Sequence, residues 1–208
     1  EAAVEVVLEA APGKTAAAVG PGLGTSEETQ RAVRRLVLEL PIPLVLDADG
    51  LNAFAGRLDE ISLRRAATVL TPHPGELGRL LGWSTAEVVE KRLEAVRRAA
   101  EASGAVVVLK GHRTLVAGAG AVAINPTGNP GMGTGGTGDV LTGLLGSLLA
   151  QGLAARDAAV LAVFLHGLAG DLAAEVRGLE ALSAGDVVEH LGAAFLRLRG
   201  GAVEEGRR

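Results

Sequence analysis

Apolar positions recur along this chain in two alternating rhythms. Val4, Val7 and Leu8 keep helical spacing over Glu1–Ala10, and Gly13 is placed to end that helix. Thr15–Val19 reads as a short apolar strand running into Gly20-Pro-Gly-Leu-Gly24. Thr25-Ser-Glu-Glu28 has capping-box spacing, so it predicts a helix to about Leu40. Pro43–Asp47 and Thr68–Thr71 read as buried strands, and Pro74–Leu81 as a helix. Thr85–Ser103 predicts one long amphipathic helix. Ala105–Lys110 is a continuous apolar strand, and Arg113–Ala117 pairs with Ala121–Ile124 around Gly118-Ala-Gly120. Three helices close the chain, over Gly138–Gln151, Asp157–Val176 and Gly185–Leu198.

Apolar strands alternating with helices predict an α/β fold, a mainly parallel sheet with helices on both faces. In such sheets ligands bind outside the carboxyl ends of the strands. The unusual residues gather there: Gly20–Gly24, Asp47-Ala-Asp49, Thr71–Glu76, Lys110–Thr114 and a glycine loop before the helix at 138. No repeat or linker interrupts residues 1–199, which read as one domain, and Gly200–Arg208 reads as a polar tail. The chain opens Glu1-Ala-Ala-Val without methionine and inside a helical pattern, so it is expected to be part of something longer.

Composition narrows the partners. At 208 residues, 48% apolar and 21% charged, the chain can bury a large core. A net charge of −4 with no basic block argues against nucleic acid. A phosphorylated ligand stays open, because a nest of backbone N–H groups needs no net positive charge. Absence of cysteine removes disulfides, thiolate metal sites and thiol nucleophiles. The most apolar segments, around Asp139–Ala150 and Ala158–Ala174, are broken by Arg156-Asp157 and Asp171. They read as buried helices rather than membrane spans, and a cytoplasmic location is expected.

The densest chemical signal is Asn129-Pro-Gly-Met-Gly-Thr-Gly-Gly-Thr-Gly-Asp139, with five glycines before an apolar helix. Two readings are open. The loop can be plain, with Thr and Asp capping the helix. Alternatively its N–H groups and the helix start hold a phosphate, and Asp139 faces a reacting hydroxyl. Thr71-Pro-His-Pro-Gly-Glu76 is either a rigid turn capped by Glu76 or a functional strand end carrying His73. Lys110 at the end of a buried strand either snorkels to solvent or neutralises a phosphate. Asp47-Ala-Asp-Gly-Leu-Asn52 is a turn or lines the cleft, and Gly20-Pro-Gly-Leu-Gly24 is a tight turn or a place of close ligand approach.

Taken in order, Gly-Pro-Gly-Leu-Gly, Asp-Ala-Asp-Gly-Leu-Asn, Thr-Pro-His-Pro-Gly-Glu, Lys-Gly and the glycine loop resemble the ADP-dependent NAD(P)H-hydrate dehydratases of the ribokinase-like superfamily. The likeness runs from Glu1 to Leu198. It implies repair of NADH or NADPH hydrated at C6 of the nicotinamide ring, by ADP-driven loss of water that yields AMP and phosphate. By motif, Gly22, His73 and Asp139 would contact the hydrated nucleotide. Lys110, Gly111, His112, Arg113 and Thr114, with Gly135, Gly136 and Gly138, would hold the adenine nucleotide. Asp139 would take the hydroxyl proton, and Glu76 would order magnesium through water. The resemblance also implies a homotetramer, and an epimerase domain upstream in many members. The family's first strands and helices, with a further Lys-Gly motif, are absent here. A vitamin-precursor kinase of the same superfamily is the alternative, although such kinases typically have asparagine where this chain has His73. A non-catalytic nucleotide-binding fragment is the other.

Overall fold

The structure, a computed structural model, describes residues 2–205, with side chains through residue 200. Six strands lie side by side in chain order: β1 Ala17–Val19, β2 Leu44–Leu46, β3 Thr68–Leu70, β4 Val106–Leu109, β5 Leu115–Gly118 and β6 Ala121–Ile124. β1 to β4 run parallel, and β5 and β6 are antiparallel additions. The sequence expectation of a mainly parallel sheet therefore holds.

Period-two alternation sorts the strand side chains between two cores. Leu44, Leu46, Leu70, Val107, Leu109 and Leu115 point to one face. There they meet α2 (Glu27–Glu39), α3 (Ala48–Asn52), α4 (Pro74–Leu81), α5 (Thr85–Glu90) and α6 (Arg92–Ser103). Val45, Val69, Val108 and Val116 point to the other face, under α7 (Thr137–Ala150) and α8 (Ala155–Arg177). The helix α9 (Ala184–Glu205) packs outside α8 in a third cluster, and α1 (Ala2–Ala10) packs on α2.

α8 is long and apolar enough to cross a membrane by length and composition, with a mean hydropathy of 1.6. It serves instead as a core helix: Ala158, Ala159, Ala162, Leu165, Ala169 and Ala173 are all fully buried. Small residues on that stripe let α8 approach both the sheet and α9 closely.

Several elements differ from the sequence expectation. The cap of α2 is Ser26 rather than Thr25; its hydroxyl accepts from the Thr29 N–H. The helix expected over Thr85–Ser103 is two helices, broken at Lys91 (φ −115°, ψ 41°). Periodicity cannot show that break, because Val88 and Ala95 are buried seven positions apart, as on one helix. β5 starts at Leu115, since Arg113 turns through φ 51°. In α1 Val4 is buried while Val6 and Val7 are exposed. α9 continues past Leu198 to Glu205.

Candidate functional site

Four parallel strands deliver their carboxyl ends to one side of the sheet. Gly20 follows β1, Asp47 follows β2, Thr71 to His73 follow β3 and Lys110 follows β4. Gly20 has φ 141°, and a β-carbon there would lie 1.8 Å from the Asp47 carbonyl oxygen. Only glycine lets the first two strand ends approach this closely. The Asp49 carboxylate then holds the turn after β1, accepting from the Gly24 N–H at 2.8 Å.

Asp47 is only 1% exposed. A buried carboxylate needs charge and hydrogen-bond partners to offset lost hydration. It has both: Lys110 Nζ lies 2.8 Å from Oδ1, and Thr142 Oγ1 donates to Oδ2 at 2.7 Å. The Lys110 ammonium is also 3.8 Å from Glu76 Oε2. It lies 3.6 Å from where a β-carbon on Gly138 would be, so it stands beside the first turn of α7.

His73 caps α4. Its Nδ1 accepts from the Gly75 N–H at 3.0 Å, and its own N–H donates to Glu76 Oε2 at 2.7 Å. Accepting at Nδ1 places the neutral ring's hydrogen on Nε2, which lies 3.4 Å from Glu76 Oε1. Glu76 is thus a capping-box residue, buried behind an exposed His73.

The start of α7 is built differently. Its N-cap, Gly136, is left-handed at φ 88° and supplies no side-chain acceptor. Thr137 turns its hydroxyl back to the carbonyls of Met132 and Thr134. The first-turn N–H groups therefore keep their capacity for an anion. His166 of α8 donates from Nε2 to the Thr137 carbonyl at 2.9 Å. Burial, with Lys110 nearby, holds the His166 imidazole below its ordinary range despite that hydrogen bond.

A cavity of about 520 Å³ opens in front of this helix start. Its wall brings together His73, Lys110, Gly111, His112, Arg113, Thr114 and Gly138, all singled out in the sequence. Other candidates lie outside that wall. Gly22 is exposed in the turn after β1, and Gly135 and Gly136 are exposed before α7. Asp139 is exposed on the first turn of α7. The same helix meets β1 further along, where Gly146 packs near Ala18.

Asn129, Pro130, Met132, Gly133 and Thr137 of the glycine loop complete much of the wall, whereas the contacts that brace it gave no usable signal in the sequence. Arg92, at the start of α6, donates to the carbonyls of His112 (2.7 Å) and Arg113 (3.2 Å) and clamps the strand-end loop. Asn125 and Thr127 bond to the carbonyls of Val163 and Phe164 in α8. Asp171 accepts from the Gly128 N–H and the Asn129 side chain. These contacts fix the chain between β6 and α7 as one side of the cavity. The Asn-Pro-Gly turn and the lone Asp171 were visible, but not their pairing.

Among the described residues, no group of three or more His, Asp or Glu side chains is placed to hold a metal. Magnesium usually keeps several waters and binds through one or two carboxylates plus phosphate oxygens. Glu76 offers one carboxylate beside Lys110, outside the cavity wall, and would reach such an ion only through water.

A family model described as NAD(P)H-hydrate dehydratase matches residues 2–191. The chain belongs to the NAD(P)H-hydrate dehydratase family. It is 46% identical over 190 residues to a bifunctional NAD(P)H-hydrate repair enzyme of Moorella thermoacetica, covering 91% of this chain and 36% of that protein. It is 44% identical over 174 residues to an ADP-dependent (S)-NAD(P)H-hydrate dehydratase of Neisseria meningitidis, covering 81% of this chain and 59% of the relative. A crystal structure of the ADP/ATP-dependent NAD(P)H-hydrate dehydratase of Bacillus subtilis, co-crystallised with ATP and Mg2+, superposes with a TM-score of 0.79 at 36% identity. That match covers 91% of this chain and 69% of the other. The fold is ribokinase-like, as the motifs implied. The chain spans 36% and 59% of the length of these two curated relatives, less than two thirds of either.

Proposed function

We propose that this chain carries out the ADP-dependent dehydration of (S)-NAD(P)H-hydrate to NAD(P)H, releasing AMP and phosphate. The observation that carries the reading is the Lys110 ammonium beside the start of α7, which has no side-chain cap, in a cavity that also holds His73 and the loop from Gly111 to Thr114. This pairs a cation with a helix-start anion site, which suits a diphosphate. The cavity volume suits a nucleotide.

In this reading the adenine nucleotide fills the cavity. Gly135, Gly136 and Gly138 cradle its phosphates, and the hydrated nicotinamide approaches Gly22, His73 and Asp139 from the open side. Asp139 takes the proton of the C6 hydroxyl as its oxygen bonds to the β-phosphorus of ADP. The bridging P–O bond breaks and AMP leaves. The nicotinamide ring nitrogen then expels the C6 oxygen as phosphate, and the departing phosphate takes the proton of the neighbouring ring carbon, which restores the dihydropyridine. Phosphate leaves far more readily than hydroxide. Glu76 would help hold magnesium through water, and the ion would supply charge neutralisation on the phosphates.

The bifunctional relatives support an epimerase domain elsewhere in the full protein. Exposed Val6 and Val7 on α1, with Val188 and Leu196 on α9, support a homo-oligomer, a tetramer by family likeness. The small residues of α8 cannot contribute, because they are buried within the chain. A cytoplasmic setting matches the nucleotide substrates.

The test mixes the protein with hydrated NADH, ADP and magnesium and follows recovery of reduced-nicotinamide absorbance. Parallel reactions offer ATP with hydroxymethylpyrimidine and with a thiazole alcohol. ADP-dependent recovery is expected. Phosphorylation of an alcohol without recovery supports the kinase alternative, and nucleotide binding without either supports the non-catalytic one.

A further inference from the structure

Asp47 is the most deeply buried acidic side chain of the described residues, yet it is not part of the cavity wall. Its carboxylate joins three elements far apart in sequence: the end of β2, Lys110 after β4, and Thr142 in α7. Its backbone is also held. The Gly20 Cα packs where no side chain fits against the Asp47 carbonyl, and Ala48 follows at φ 48°, a region an alanine rarely adopts.

Lysine is a flexible four-carbon stem with three donors. Here one donor is committed to Asp47 at 2.8 Å, which stops the stem from swinging out to solvent. Glu76 at 3.8 Å is beyond hydrogen-bond distance, so the other donors stay open toward the α7 start. Thr142 is 3% exposed, and its hydroxyl at 2.7 Å holds the second carboxylate oxygen. The carboxylate is thereby fixed at both ends.

We propose that Asp47, held by Thr142, is the positioning residue for Lys110, fixing its ammonium beside α7 to receive a phosphate oxygen of the adenine nucleotide. Neither Asp47 nor Thr142 touches the ligand. Their effect is preorganisation: the lysine's rotamer freedom is given up on folding rather than on binding. The proposal rests on reading Lys110 as a nucleotide contact, and the experiment separates the two.

Calorimetry on the whole chain uses ADP and, as a phosphate-free probe, adenosine. Lys110→Met is expected to weaken ADP at least about tenfold, the loss of a charge-assisted contact. Thr142→Val is expected to weaken ADP about three- to tenfold, and Asp47→Asn at least as much, by the same hydrogen-bond scale. Thr142→Ser, which keeps the hydroxyl, is expected to restore wild-type affinity. Adenosine affinity is expected to stay unchanged in all four. Wild-type ADP affinity in both Thr142→Val and Asp47→Asn, with a loss in Lys110→Met, overturns the positioning role and leaves the nucleotide reading standing. Equal losses for ADP and adenosine overturn it too, because the cluster then merely holds the fold. Unchanged ADP affinity in Lys110→Met overturns both. Should Asp47→Asn not fold, the Thr142 pair decides alone.

Discussion

Gly167 of α8 faces the segment that leaves β6, and substituting alanine there would disturb the cavity wall in a calculable way. A β-carbon at 167 would lie 2.3 Å from Thr127 Oγ1, 2.7 Å from the Thr127 carbonyl carbon and 2.9 Å from the Gly128 nitrogen. None of these atoms can retreat freely. The Thr127 hydroxyl lies 2.9 Å from the Phe164 carbonyl, and the Gly128 N–H is pinned to Asp171 at 2.9 Å. α8 and the loop must therefore separate. Overpacking of this kind costs about 1–3 kcal/mol. Losing the Thr127 bond adds about 1 kcal/mol. Alanine in a helix returns about 1 kcal/mol over glycine. The net expectation is a loss of about 1–3 kcal/mol, a Tm fall of roughly 2–12 °C at this chain length. Thr127, Gly128 and Gly167 all line the cavity, so ADP affinity should fall as well. Urea unfolding and calorimetry read the two effects. Gly143→Ala in α7 is the control: its β-carbon meets nothing within 4 Å, and it should gain up to about 1 kcal/mol. A Gly167→Ala protein as stable as the wild type would refute the reasoning.

Arg92→Ala should release the carbonyls of His112 and Arg113 and weaken ADP binding about tenfold, on the scale of two charged hydrogen bonds, while far-ultraviolet dichroism stays unchanged; unaltered affinity would show that the loop needs no clamp. Burial holds the His166 imidazole below its ordinary value of about 6.5 in the folded chain, so the unfolded chain binds the extra proton. Stability should therefore fall as pH drops below about 6.5, by at most about 1.4 kcal/mol per pH unit, and level off below the folded-state pKa. His166→Gln, which can still donate to the Thr137 carbonyl, should flatten that slope in unfolding measured against pH; an unchanged slope would assign it to other groups.

Much of the sheet was legible because its two cores impose a strict alternation. Leu44, Val45 and Leu46 face opposite ways, and so do Val107, Val108 and Leu109. Runs of this kind between glycine turns admit few other readings. The boundary at Pro74 was legible for a local reason, proline at the first helical position after a capping residue. The break at Lys91 was not, because the buried face continues across it and the residue that profits, Arg92, bonds to a loop twenty positions away. The shift of the cap from Thr25 to Ser26 shows the same limit, since adjacent hydroxyls offer equal chemistry and tertiary packing chooses. In the site, the strand-end loop at Lys110 and His73 could be picked out by residue type. The links from Asp47 to Lys110 and to Thr142 span 63 and 95 positions, and no local pattern carries them.

The proposed reaction is ADP-driven removal of water, with Asp139, on the first turn of α7, as the base. Its most direct test is a single-turnover reaction of hydrated NADH with ADP and magnesium, in which NADH, AMP and phosphate are quantified together in the wild type and in Asp139→Asn, on the longest available form of the protein. Asparagine keeps the size and cannot take a proton, so the rate should fall about 10²–10⁴-fold while ADP affinity is retained. Equal amounts of all three products are expected in the wild type, and near silence in the variant. NADH recovered without matching AMP and phosphate, or Asp139→Asn turning over within about threefold of the wild type, would contradict the proposed reaction.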